Sequence, residues 1–248
     1  MFVLPAAEPA ESLPEPPRPG REPRRAPARR RTLNRDGIVD AALRVLDAEG
    51  LDAVTMRRVA QELGTGGASL YAHVDGKDGL IDLVLERVIG EVRLPESDPD
   101  PDRWQEDVKA IAREMRRVMT AHRDIARATL ANIPLGANAL TVMDRLMGSL
   151  RAGGLPDQVC AWAGDLLGLF VTAVAVEDSI YGTKLTPEQA ERYFTELGQY
   201  MHSLPAERFP HMAALAGPMT AGGGDERFEF GLNVIVSGLA AQAKPPRR

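Results

Sequence analysis

TMRRVAQELGTGGASLYAHVDGK, residues 55–77, reads as two short helices joined by a glycine turn. Thr55 can accept a hydrogen bond from the first free backbone N–H groups of a helix. Met56, Val59, Ala60 and Leu63 then form one apolar stripe that leaves Arg57, Arg58 and Gln61 facing outward. Gly64 ends that helix. After Thr65-Gly66-Gly67, the run Ala68–His73 makes about two further turns. Short helix, glycine turn, short helix is the helix-turn-helix pattern, in which the second helix enters the DNA major groove.

The same periodicity extends outward in both directions. Upstream, Ile38, Ala41, Ala42, Val45 and Leu46 recur at helical spacing from Arg35 until Gly50 closes the segment. Downstream, Asp75-Gly76 is a turn and an amphipathic helix runs from Lys77 to about Val92. PESDPDP, residues 95–101, is a linker, because prolines stop helices. Helical segments are then predicted near 102–121, 124–131, 137–152, 157–180, 187–202 and 225–243, separated by Pro- or Gly-bearing joints. Sustained strand-type alternation is absent, so the chain reads as all-α. Three divisions are expected: a Pro/Arg-rich arm at 1–31, disordered in isolation, a helix-turn-helix domain with its connecting helix at 32–92, and a helical core at 93–248.

The formal net charge of −5 argues against a nucleic-acid partner until its distribution is considered. Seven arginines between Arg18 and Arg31 face one acid, Glu22, whereas from Leu33 to Arg93 acids outnumber bases eleven to seven. A basic arm therefore precedes an acidic head. The longest uninterrupted apolar run, Leu166–Val176, is shorter than the roughly 20 residues of a membrane-spanning helix. With no signal-peptide pattern in MFVLP and a single cysteine, Cys160, the expected location is the cytoplasm.

Enzyme signatures fail on inspection. Gly64-x-Gly66-x-x-Ser69 lacks the third glycine of the dinucleotide fingerprint and follows a helix instead of a strand. Gly76-Lys77 resembles the end of a phosphate loop, but Tyr71 stands at its first glycine and Asp78 at its Ser/Thr. His73, His122, His202 and His211 show no metal-ligand spacing. No catalytic group, metal or cofactor is expected.

TMRRVAQELG, SLYAHVDGKDGL, Trp104-Gln105, His122-Arg123-Asp124, Glu177-Asp178 and FEFGLNVIVSGL occur in an order and spacing that resemble the tetracycline-repressor (TetR) family across residues 33–243. The resemblance implies a three-helix DNA-binding head, a fourth connecting helix, and a core that binds a small molecule and forms a homodimer. By position, Arg57, Tyr71, His73 and Lys77 would contact DNA, the last three through phosphates, and Gly67, Ala68 and Ser69 would approach base edges. The competing readings are packing for Tyr71 and His73 and a solvated charge for Arg57 and Lys77; Leu70 and Val74 are read as core. Gly67, Ala68 and Ala72 are smaller than the family's residues there, so hydrogen-bond readout should be sparse and the operator different. Arg24, Arg25, Arg29 and Arg30 are candidates for supplying the charge the head lacks, in the adjacent minor groove, against the alternative of a solvated tail.

For the sensor, the resemblance implies a pocket lined by Ile111, Met115, Met119, Thr129, Ile133, Phe170, Val174 and Glu177. For all but Glu177, plain core packing is an equal alternative. Thr129 occupies the position of the family's magnesium-binding histidine, so magnesium–tetracycline is not the expected effector; a large hydrophobic, antibiotic-like compound is. The apolar segment 157–181 and the face Phe228, Leu232, Ile235, Leu239 of the last helix, with Gly231 and Gly238, are expected to build the dimer contact. A ligand-responsive repressor on a palindromic operator follows, the alternative being a DNA-binding regulator that activates or senses no ligand.

Overall fold

In a computed structural model the described residues, 33–132 and 134–243, form eleven α-helices and no strand. The arm with Arg24, Arg25, Arg29 and Arg30 lies outside the described residues, as does Ile133.

Helix α1, Arg35–Glu49, begins where the Asn34 side chain accepts the Gly37 N–H at 2.9 Å. It ends at Gly50, whose φ of 91° is a conformation that favours glycine. A 3-10 turn, Leu51–Ala53, leads to α2, Met56–Glu62, capped by the Thr55 hydroxyl accepting from Arg58 N–H at 3.1 Å. Gly64, at φ 64°, turns the chain into α3, Gly67–Leu70. This helix is shorter than the two turns expected, although the His73 and Val74 N–H groups still bond to Leu70 C=O. Leu70 and Val74 are buried, as read.

Helix α4, Gly76–Ile89, buries Leu80, Ile81, Val84, Leu85, Val88 and Ile89. It packs on α1 and also on α5 (Trp104–Ala121), α6 (Ile125–Ala131) and α7 (Ala137–Ala152), so it belongs to both the head and the core. The central helix α8, Asp157–Lys184, lies against α5, α6, α7 and α11 (Gly224–Ala240). Its stretch Asp157–Gly182 is long and apolar enough to cross a membrane by length and composition, which the count of uninterrupted apolar residues had not shown. In the fold, one side of it is buried against those four helices while Trp162, Leu166 and Leu169 on the other are exposed.

Helices α9, Pro187–His202, and α10, Pro210–Thr220, pack mainly against each other. The sequence pattern did not reveal α10. Its Pro218 signals a break, and its apolar residues select no single face, since only Ala216 is buried. Pro210 fits the first turn, where no backbone donor is needed, and Pro218 lies inside the helix, where it forfeits one backbone bond.

The last helix also corrects an expectation. Phe228, Leu232 and Leu239 are buried within their own chain, and Ile235 is half-buried. The exposed apolar face of α11 is instead Phe230 and Val234. Gly231 accommodates the Phe170 ring, whose Cζ would lie 2.6 Å from an added Cβ, so its close approach is within the chain.

Candidate functional site

The head presents α3 outward. Ala68, Ser69 and Ala72 are exposed, Gly67 and His73 are half-buried, and Tyr71 is 61% exposed, which removes packing as the reading of Tyr71. Arg57 on α2 and Lys77 in the first turn of α4 are exposed as well. The neighbouring Arg58 is held differently. Its guanidinium donates to Glu49 at 2.6 Å and Glu62 at 3.1 Å, and Arg44 joins Glu62 at 3.3 Å. Hydrogen bonds from Arg44, then Arg58, hold the Glu62 carboxyl below its ordinary range. Of this adjacent pair, Arg57 is the one without such an anchor among the described contacts.

Three joints tie the head to the core. Asp124, in the left-handed conformation at φ 57°, accepts the Leu51 N–H at 3.2 Å, and Arg123 donates to Ala48 C=O at 3.1 Å. His122 lies between Asp47 of α1 and Glu91 beyond α4, at 3.2 and 3.4 Å. On α4 itself, Arg87 donates to Asp40 of α1 at 2.6 Å and to Asp36 at 3.1 Å. The adjacent Glu86 points the other way, its carboxylate accepting the N–H of Asn138 at 2.7 Å at the start of α7. Successive residues of one helix thus grip the head and the core.

Behind α4 lies a cavity of about 200 Å³ walled by α4, α5, the α6–α7 connection, α7 and α8. Its lining carries no charged side chain: Ile89, Ile111, Met115, Val142, Leu146 and Leu167 are representative. It reaches the surface beside Leu135, Leu140 and Met143, which both line it and are exposed. Two residues expected in the sensor, Ile111 and Met115, face this space. Met119 and Thr129 line a much smaller void of about 10 Å³ that shares Ile89 and Met115 with it. The Thr129 hydroxyl donates to Ile125 C=O at 3.1 Å. Phe170, Val174 and Glu177 line neither space: Phe170 stacks on Phe228 with centroids 5.5 Å apart, and Glu177 meets Arg227 at 3.5 Å. Sequence reasoning missed the α7 wall, although Ala139, Val142, Met143 and Leu146 recur at helical spacing, and it missed Gly164 and Gly168 on α8.

A helical head with an outward-facing second helix, coupled through one shared helix to a hollow core, defines a helix-turn-helix DNA-binding regulator. The family profile "Bacterial regulatory proteins, tetR family" matches residues 38–84, and "Tetracyclin repressor-like, C-terminal domain" matches residues 95–243. The HTH-type transcriptional repressor DrrR1 of Streptomyces coeruleorubidus is 34% identical over 225 residues, 89% of this chain and 81% of that one. The Escherichia coli tetracycline repressor protein class A from transposon 1721 is 29% identical over 211 residues, 84% of this chain and 91% of that one. Among solved structures, ActR of Streptomyces coelicolor in complex with actinorhodin superposes with a TM-score of 0.80 at 50% identity, covering 88% of this chain and 100% of that one. The chain belongs to the tetracycline-repressor family of transcriptional regulators.

Proposed function

We propose that the protein represses transcription by binding a palindromic operator as a homodimer and leaves it when a hydrophobic, antibiotic-like compound occupies the core cavity. The observation that carries this reading is the cavity's wall: an apolar space of about 200 Å³ includes Ile89 of α4, and the same helix holds α1 through Arg87. A ligand that prefers an altered α4 position would shift the population of head arrangements by its differential affinity. ActR has been solved in complex with actinorhodin, which supports a small-molecule effector and makes that compound a first candidate.

On this reading Gly67, Ala68 and Ser69 approach base edges, Tyr71, His73 and Lys77 hold phosphates, and Arg57 reaches the DNA from α2. The arginines of the arm compensate an acidic head. The exposed apolar faces of α8 (Trp162, 66% exposed) and α11 (Phe230, 72% exposed) pair about a twofold axis. That pairing sets the two α3 helices about 34–36 Å apart, one DNA turn.

The test is footprinting on DNA upstream of the protein's own and neighbouring reading frames, followed by titration of the complex with actinorhodin and with hydrophobic antibiotics. A protected inverted repeat that is released by such a compound is expected. A monomer, or a complex that no member of the panel dissociates, would refute the proposal.

A further inference from the structure

We propose that Gly168 sets the depth of the cavity, and with it the size of the ring system the protein accepts; this rests on the cavity being the effector site. A glycine inside a helix costs about 1 kcal/mol relative to alanine. Helix α8 carries two on its cavity side, Gly164 and Gly168, one turn apart. Gly164 has a partial packing reason: an added Cβ would run into the flexible end of Met147 and lie 3.3 Å from Met143 Sδ. Gly168 has none. A Cβ there would meet nothing within 4 Å, and its φ lies outside the left-handed region. Gly168 is itself half-buried, and it lines the cavity together with its buried neighbours Leu167 and Val171. Bare backbone at Gly168, in a lining shared with Ile111 and Met115, makes a flat patch of floor. With the thioethers of Met115 and Met143 at its sides and no charge in the lining, it suits the face of a neutral fused aromatic ring system.

The floor predicts opposite signs for stability and binding. Gly168→Ala should raise the melting temperature by about 2–4 °C, through helix propensity and partial filling of the void. It should also weaken binding of N-phenyl-1-naphthylamine, a neutral aromatic probe whose fluorescence rises in apolar sites, by about tenfold. Gly168→Val should weaken it further. Gly164→Ala, which displaces the flexible end of Met147, should raise the melting temperature less than Gly168→Ala. Unchanged probe affinity in both Gly168 variants would overturn the proposal, as would a loss of affinity accompanied by a lower melting temperature in Gly168→Ala. A wild-type protein that does not bind the probe or actinorhodin would overturn the effector reading itself.

Discussion

The bond between Glu86 and the start of α7 can be broken from either side. Glu86 accepts the Asn138 N–H at 2.7 Å and approaches the Ala139 N–H at 3.5 Å, so an α4 carboxylate serves as the N-terminal cap of α7. Asn138 returns a side-chain bond to Glu86 C=O at 3.0 Å. Glu86→Ala removes the capping acceptor, a loss of about 1 kcal/mol by analogy with N-cap side chains. Gly136→Ala leaves Glu86 in place, but its Cβ would fall on the carboxylate and displace it from the same donors. Gly136 has φ −71° and ψ 168°, which alanine adopts freely, so displacement is the only strain. In the Glu86→Ala background, Gly136→Ala exchanges a modest cap preference for a smaller unfolded-state entropy and should be nearly neutral. Each single variant should therefore lose about 1 kcal/mol, or roughly 2–4 °C, and the double variant about the same, giving a coupling energy near 1 kcal/mol. Urea denaturation at one fixed protomer concentration measures this, since dimerisation makes stability concentration-dependent. Additive losses would show that Glu86 and Gly136 do not act through one contact, and that α4 is not anchored to α7 in this way.

Gly50→Ala should destabilise by about 1–2 kcal/mol or more, because its φ is 91° and the new Cβ would press within 2.8 Å of Asp124 Oδ2; an unchanged denaturation midpoint contradicts that geometry. Acid stability should respond to Glu229. The hydrogen bond from Arg113 lowers its pKa in the folded state, so the contribution is present above the ordinary value of 4.5 and is lost as pH falls through the lowered one. Wild type should be more stable than Glu229→Gln at pH 6, with the gap closing below pH 4.5; a gap constant down to pH 3 argues against the pair. On operator DNA, Lys77→Ala should weaken binding uniformly across sequences and reduce the salt slope by about one, whereas deleting residues 1–28 should reduce it by more if the arm contacts phosphate. An unchanged slope in the truncated protein rules the arm out.

The head was legible because its signals are local. Thr55, Gly50 and Gly64 each fix a boundary within a few residues of where they act, and of the stripe Met56, Val59, Ala60 and Leu63 the first three are buried as the spacing implied, with Leu63 half-buried. The cavity was less so. Its walls run from Ile89 to Val171 in sequence, and a void is a property of how helices fail to meet, which no single segment encodes. Position in the family pattern led to Ile111 and Met115 on α5, between the matched strings at Trp104 and His122, but misplaced Phe170 and Val174 on α8 although Glu177-Asp178 matches there. It gave no hint of the bare backbone at Gly168, because a glycine inside an apolar helix reads as a weak point until its neighbours are known.

The reversal on α11 has a different cause. Helical periodicity identifies apolar faces but does not say which one its own chain covers, and this helix has two: Phe228, Leu232, Val236 and Leu239 inward, Phe230 and Val234 outward. The stripe Phe228, Leu232, Ile235 and Leu239, expected at the partner from the family resemblance, overlaps the inward face, with Ile235 half-buried. The inward face packs against α5 and α8, where Phe228 stacks on Phe170. The outward face carries a few large side chains, and on α8 it is matched by exposed Trp162, Leu166 and Leu169. Two apolar faces on each of two neighbouring helices are more than one chain can bury, and that excess argues for a second copy more strongly than either stripe does alone.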